Sequence, residues 1–275
     1  MQRRTTMERS PMKKQSRQRG HRAGAWATLG VLVMWVSMAP SLVAAGDATG
    51  AADPAVDDIL TRLEKRSDGL KDIRCKIRIV EDDQINLAKN TKLGTLLLMV
   101  TDANPRALVH FDRCEIDGML RKQEWYLFDG RYWYEAIERL GQVTKREIAR
   151  EGEALDLFNL ETSPFPMPFG QKKSVILRNF MVERVKPAKG DPDNTDHLRL
   201  LPKPGSKLDR KYTSIDYFMR RGLNLPVRIV VARNEGMEIV TVDFLDLSEQ
   251  GINVGLTDKD FAKPKAWQGF DVVEE

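Results

Sequence analysis

The stretch EWYLFDGRYWYE, residues 124–135, decides the fold. Asp129 and Gly130 stand between two runs rich in aromatic residues, and this arrangement predicts a β-hairpin with a two-residue loop. One face of the hairpin is expected to be core, and the face that looks inward is also a candidate pocket lining. The stretch therefore predicts two paired strands inside a larger sheet.

The segments on either side of this hairpin also have strand patterns. Residues 73–81 alternate apolar and basic side chains, which predicts a half-buried strand. Residues 91–101 are apolar at both odd and even positions, so we expect both faces of that strand to be covered. Neighbours along the chain usually pair, which predicts an antiparallel meander and an α+β fold that is mainly antiparallel β. Further strands are predicted at 106–116, 142–148, 180–186, 197–201, 214–220, 226–232 and 237–247, with a short one at the C-terminus.

A well-marked helix precedes the strands. Asp53 can cap its first turn, Pro54 suits its first position, and Gly69 ends it. Shorter helices are predicted at 151–160 and 171–178. The first helix has a single apolar stripe, so it must pack on the sheet; the stripe consists of Val56, Ile59, Leu60 and Leu63.

An apolar run without a charge, residues 23–45, follows a basic head. This pattern predicts a signal peptide over residues 1–45, cleaved between Ala45 and Gly46, then a flexible tether over 46–53 and a single domain over 54–275. The alternative is an uncleaved membrane anchor, because the run is long enough to span a bilayer. No cysteine follows the run, so we expect a soluble periplasmic product without a lipid anchor.

The charge balance changes when the leader is removed. The whole chain has 44 Lys and Arg against 40 Asp and Glu; the leader holds eight of the bases and one of the acids, which leaves 36 against 39. The basic character therefore belongs to the leader. The domain lacks the basic composition that nucleic-acid binding requires, so we expect no nucleic-acid partner.

Residues that carry chemistry are few. We expect Cys75 and Cys114 to be two buried thiols, since a third strand separates their strands, although export would permit a disulfide. His110 and His197 are too few for a metal site, and His110 lies too far along its strand from Cys114 to activate it. No nucleotide-binding or nucleophile motif occurs. We therefore predict no catalysis, no cofactor and no metal.

The segment SPFPMPFG, residues 163–170, is unlike the rest of the chain. Its three prolines exclude a regular helix or a central strand. Two interpretations stay open: its apolar side chains fill a gap in the core, or they form a lid over a binding cavity. The lid candidates are Phe165, Met167 and Phe169.

The order of these signals resembles the LolA-like family of bacterial outer-membrane lipoprotein-sorting proteins, which also includes LolB-like and RseB-like proteins. The motifs, in order after the first helix, are GTLLL (94–98), a Pro-Arg turn into LVHFD (108–112), FDGRYW (128–133), LPVRIV (225–230) and a C-terminal GFDVV. Each motif alone is weak, and their order is moderately specific. The family's arginine before the proline of the second hairpin is replaced here by Asn104, which indicates a divergent member.

The resemblance implies an incomplete β-barrel of about eleven strands, covered on one side by helices, with acyl chains held in the apolar cavity between them. The role it implies is that of a monomeric, non-catalytic carrier of lipid or lipoprotein acyl chains; the alternative is an envelope sensor or interaction module that binds a protein partner. From strand alternation we nominate eight inward-facing cavity residues: Ile77, Ile79, Leu96, Leu98, Val109, Phe111, Leu127 and Trp133.

Overall fold

The computed structural model describes residues 53–100, 105–150 and 169–275. The predicted signal peptide, its cleavage site Ala45–Gly46, nearly all of the tether, the helix predicted at 151–160 and the lid candidates Phe165 and Met167 lie outside these residues. No helix in the described ranges is long and apolar enough to cross a bilayer.

Helix α1, Pro54–Asp68, begins and ends as its sequence predicts. The carboxylate of Asp53 accepts a hydrogen bond from the backbone N–H of Ala55 at 2.9 Å, and Gly69 is the C-cap. The predicted apolar stripe of α1 is buried in the core. A second helix, α2, covers Lys173–Asn179, close to the predicted 171–178.

One sheet contains all thirteen strands of the described residues. The resemblance implied about eleven, and the three-residue β4 carries too short a pattern to be recognised from the sequence. The strands are β1 Asp72–Asp83, β2 Ala88–Met99, β3 Arg106–Ile116, β4 Met119–Arg121, β5 Glu124–Phe128, β6 Tyr132–Ile137, β7 Gln142–Glu147, β8 Phe180–Val185, β9 Thr195–Pro202, β10 Ser214–Arg220, β11 Pro226–Arg233, β12 Glu238–Phe244 and β13 Asp271–Glu274.

The strand order is β13-β7-β6-β5-β3-β2-β1-β12-β11-β10-β9-β8, with β4 paired to β3. All pairings are antiparallel except that of β13 with β7. The chain therefore runs as a meander in two blocks, β1–β7 and β8–β12, which join through the β1–β12 pair. Among the described residues the edge strands β13 and β8 each have one partner, so the sheet they form is open, as the predicted incomplete barrel requires.

Two apolar clusters lie on opposite faces of the sheet. The larger one holds α1, α2 and the side chains that β1, β2, β3 and β8–β12 point toward them, and we call this side the inner face. The smaller one lies on the outer face, where the C-terminal segment 256–270 covers β5, β6 and β7. Strand β2 contributes to both clusters, with Leu96 and Leu98 inside and Leu97 and Met99 outside, which confirms that it is covered on both faces.

The hairpin of residues 124–135 forms with its loop one residue later than predicted. The backbone N–H of Asp129 donates to the carbonyl of Tyr132 at 3.2 Å, so the two-residue loop is Gly130-Arg131. Gly130 has a φ of 100°, which glycine adopts readily. The Asp129 carboxylate accepts hydrogen bonds from the N–H groups of Arg131 and Tyr132 and holds the turn.

Candidate functional site: the inner face of the sheet

Seven of the eight nominated residues point to the inner face. Six of them are fully or almost fully buried in the larger cluster, and Trp133 packs against it while staying partly accessible. The placement of Leu127 was predicted wrongly. Leu127 pairs with Tyr134 and lies in the outer cluster, whereas Phe128 pairs with Trp133 on the inner face.

A strip of partly accessible apolar side chains crosses the inner face beyond the buried centre. Val231 pairs with Val240, and Val242 pairs with Ile79 on the neighbouring strand β1. Further along the same face, beyond β1, β2 and β3, the rings of Tyr126 on β5 and Trp133 on β6 continue the strip. Their ring centroids lie 6.2 Å apart. Sequence alternation did not single out Val231, Val240, Val242 or Tyr126 as site residues, because many apolar strand positions share that pattern.

Phe169 closes part of this face. It is completely buried, and its ring lies 4.8 Å from that of Phe244, centroid to centroid. The next residue, Gly170, donates its N–H to Ser67 Oγ at 3.1 Å, which ties the end of the proline-rich segment to the end of α1. Phe169 therefore fills the core, as the first of the two interpretations predicts for that residue.

A buried polar cluster interrupts the strip between β2 and β5. Lys92 Nζ lies 2.9 Å from Glu124 Oε2, and the hydroxyl of Tyr126 donates to the same oxygen at 3.0 Å. Lys92 also lies 5.9 Å from the ring centroid of Phe111 and 5.8 Å from that of Tyr126. We call Lys92, Glu124 and Tyr126 the polar triad. Alternation places Glu124 and Tyr126 on one face of β5, but nothing in the sequence brings Lys92 to them, since that contact depends on the register of β2, β3 and β5.

The environment of the triad shifts the pKa of two of its members. Burial opposes the charged form of Lys92, but the interactions with Tyr126 and Glu124 outweigh it and hold the pKa of the ammonium above its ordinary value. Burial and the Glu124 carboxylate raise the pKa of Tyr126, although Lys92 opposes this. Lys92 therefore stays a cation over the physiological range, paired with a carboxylate inside the face.

A second cluster fastens α1 to the sheet. Asp196 on β9, with its side chain 7% exposed, accepts hydrogen bonds from Arg221 at 2.9 Å and Arg184 at 3.2 Å, and Arg62 of α1 lies 3.5 Å away. Burial alone would raise the pKa of Asp196, but these arginines hold it below its usual range. This cluster positions the helix over the sheet.

The two cysteines are held in the interior of the sheet. Cys75 and Cys114 are free, buried thiols on β1 and β3, with β2 between them, as predicted. Burial raises the pKa of Cys75 to about 12 and that of Cys114 to about 11, so neither is a nucleophile near neutral pH. The described residues contain no group of three or more His, Cys, Asp or Glu suited to a metal ion.

The two histidines are engaged in packing. The ring of His110 stacks on that of Trp125 at 5.0 Å, and its Nε2 lies 2.8 Å from Gln123 Oε1. The Nε2 of His197 lies 2.7 Å from Asp216 Oδ1. Each therefore has partners within the sheet that account for its position.

The chain is similar to several solved structures. No family model matches the chain, and no curated protein does. An uncharacterized conserved protein from Thermus thermophilus matches at 12% identity over 80% of this chain and 99% of its own, with a TM-score of 0.45. Lipoprotein LppX from Mycobacterium tuberculosis matches at 7% identity over 75% and 99%, with a TM-score of 0.44.

A LolA superfamily protein from Nitrosomonas europaea matches at 11% identity over 75% of this chain and 97% of its own, with a TM-score of 0.29. The chain is similar to these proteins. The last of them carries the name of the family that the sequence resembles.

Proposed function

We propose that this chain is an exported, non-catalytic protein that binds acyl chains of lipids or lipoproteins along the inner face of its sheet. The observation that carries the proposal is the strip of partly accessible apolar side chains beside the buried core, formed by Val231, Val240, Val242, Tyr126 and Trp133. Apolar side chains that converge on one face are suited to an extended apolar ligand.

The leader supports the cellular setting of this function. A basic head, a long apolar run and small residues before Gly46 would deliver the domain to the periplasm, where acyl chains in transit need shielding from water. The resemblance to lipoprotein-sorting proteins points the same way. We propose further that residues 163–168, with Phe165 and Met167, act as the lid, and that Phe169 is its fixed end.

The test is native mass spectrometry of the protein purified from the cells that produce it, together with extraction and identification of bound lipid. We expect mass increments of one or a few acyl chains, lost on denaturation. The variant Val242→Asp should lose them because a carboxylate on the strip disfavours apolar ligands. Val272→Asp, on the exposed strand β13, is the matched control and should keep them.

Because Val242→Asp could lose lipid simply by misfolding, an uncharged, space-filling variant provides a second test. Val240→Trp adds volume on the strip without a charge, and it should also reduce bound lipid while circular dichroism stays unchanged. Wild-type protein that never carries or takes up lipid would overturn the proposal. A stoichiometric protein partner in its place would favour the sensor or interaction module.

A further inference from the structure

Large apolar side chains that are exposed to solvent collect at one end of the sheet. Six of the eleven exposed large hydrophobic residues among the described residues sit on the hairpin tips there. We call these tips the rim. In the order of the sheet, from β7 to β11, their apolar residues are Leu140, then Met119 and Leu120, then Ile85 and Leu87, then Met237.

Hydrogen bonds place neighbouring tips side by side. The N–H of Gln84, in the β1–β2 tip, donates to the carbonyl of Met237 in the β11–β12 tip at 2.8 Å. The N–H of Asp117, in the β3–β4 tip, donates to Asn90 Oδ1 at the start of β2 at 3.2 Å. Glu138, which begins the β6–β7 tip, donates its N–H to the carbonyl of Gln123 at the start of β5. The four tips therefore form one continuous edge.

The opposite end of the sheet differs. The described loops 129–131, 186–194 and 221–225 there carry no exposed large hydrophobic side chain, and segment 245–255 carries two, Leu245 and Val254. The remaining five exposed hydrophobics are scattered: Met181 lies on β8, Val272 and Val273 lie on β13, and Leu245 and Val254 lie in the segment that follows β12. Exposed large hydrophobic side chains are therefore clustered at the rim and are sparse elsewhere on the surface.

Leu87 is the most exposed of these side chains, at 88%, and its backbone has a φ of 53°. Leucine rarely adopts this left-handed conformation, which asparagine and glycine tolerate better. The turn is well ordered, because the Asp83 carboxylate accepts hydrogen bonds at 2.9 Å from the N–H groups of both Ile85 and Asn86. A strained, water-exposed leucine on an ordered tip points to a use for its side chain outside the fold.

We propose that the rim inserts its apolar side chains into the surface of a lipid bilayer. The side chains stand on convex tips of separate hairpins and line no groove, so a fluid apolar phase can surround each one. Charge plays little part: the tip segments 82–90, 116–122, 138–141 and 234–238 together hold six acidic and four basic residues. The driving force is then apolar burial, and anionic lipid is not required.

This interaction goes beyond the proposed function, because a protein without any acyl site could bind a membrane in the same way. If both hold, the rim would bring the sheet to the bilayer from which acyl chains are taken or to which they are delivered.

The test uses the full chain with an environment-sensitive fluorophore at Leu87→Cys. The native thiols Cys75 and Cys114 are buried and should not be labelled. On addition of phosphatidylcholine vesicles we expect a blue shift and a rise in emission that persist at high salt. The same label at Val254→Cys, exposed beside the start of β1 at the opposite end of the sheet, should not respond even if the leader anchors the chain to the vesicle.

A second measurement uses a variant that lacks two of the rim's apolar side chains. The double substitution Leu120→Ser and Leu140→Ser should lower the vesicle-induced signal at Leu87→Cys, with about a tenfold or greater fall in apparent partition coefficient. Binding of free fatty acid to the same variant should stay unchanged, which separates this proposal from the acyl site.

Two results would overturn the proposal. One is a label at position 87 that stays in an aqueous environment at saturating vesicle concentration. The other is a blue shift that occurs without vesicles and grows with protein concentration, since it would assign the rim to contact between copies of the chain.

Discussion

At the scale of single residues, Gly94 shows how closely the central strands approach. A β-bulge in the pairing of β2 with β3 lies between Leu93 and Gly94, and a Cβ atom at Gly94 would lie 1.9 Å from the carbonyl oxygen of His110. The backbone of β3 must therefore move if any side chain is added here. The GTLLL motif begins with glycine for this reason.

We expect Gly94→Ala to destabilise the protein by about 3 kcal/mol or more, because the clash is with backbone. Gly69→Ala is the control: its nearest atom would be the Arg66 carbonyl oxygen at 3.8 Å, so its effect should be small. Urea unfolding of both variants measures the difference. Equal stabilities for the two would show that the strands separate more easily than the structure indicates.

The polar triad makes a different prediction. Lys92→Met leaves the Glu124 carboxylate buried without its cation, which should cost about 3 kcal/mol. The double variant Lys92→Met with Glu124→Gln should recover most of this loss, because a neutral amide can still accept the hydrogen bond from Tyr126. Chemical denaturation of the two variants decides. A double variant no more stable than the single one would mean that the charge of Glu124 is not the source of the cost.

Asp196 makes the stability of the fold depend on pH. Its pKa is lower in the folded state, so the stability it contributes is present above its unfolded pKa, about 3.9, and is lost as the pH falls through the folded value. Asp196→Asn should therefore cost about 2 kcal/mol at pH 7, and progressively less as the pH falls below about 3.9. The arginines around it are partly exposed, which keeps the figure modest. A difference between wild type and variant that does not change with pH would contradict this account.

At the scale of elements, the hairpin of residues 124–135 shows where prediction from sequence succeeds and where it stops. The aromatic runs and Asp129-Gly130 predict the hairpin itself. They leave the register open, because both faces of the hairpin are buried and alternation carries no signal when neither face is polar. Leu127 was placed on the wrong face for this reason, while the amphipathic β1 and α1 were placed correctly.

The polar triad and the Asp196 cluster also lay beyond the sequence. Lys92 and Glu124 belong to strands that share no pairing, and they meet because Phe111 on β3 pairs with both Gly94 and Glu124. Arg62, Arg184 and Arg221 reach Asp196 from three separate elements. Contacts of this kind depend on tertiary register, which local patterns do not encode.

Phe169 connects the proline-rich segment to the core, and its removal should open the inner face. We expect Phe169→Ala to cost about 3–5 kcal/mol, since a fully buried ring leaves a cavity beside Phe244. Apolar ligand should bind the variant and restore part of this loss. Thermal unfolding with and without fatty acid measures both effects, with Val272→Ala as a control that should respond to neither. A variant of wild-type stability would show that Phe169 does not fill the core.

At the scale of the whole molecule, one sheet has two differently covered faces. Helices α1 and α2 and Phe169 cover the inner face, and the C-terminal segment covers part of the outer face. The α+β class, the antiparallel meander and the covering helices follow from the sequence patterns. The C-terminal cover was not predicted, because segment 256–270 has no long periodic element; its apolar residues Leu256, Phe261 and Trp267 are spaced by turns.

The most direct test of acyl binding uses the three tryptophans of the domain. Trp133 lies on the inner face, whereas Trp125 and Trp267 lie in the outer cluster. A variant that keeps Trp133 alone, with phenylalanine at the other two positions and at Trp26 and Trp35 of the leader, is titrated with a brominated fatty acid. Its fluorescence is compared with that of the matched variant that keeps Trp267 alone. The account predicts saturable quenching of Trp133 and none of Trp267. Quenching of Trp267 alone, or of neither, would contradict an acyl site on the inner face.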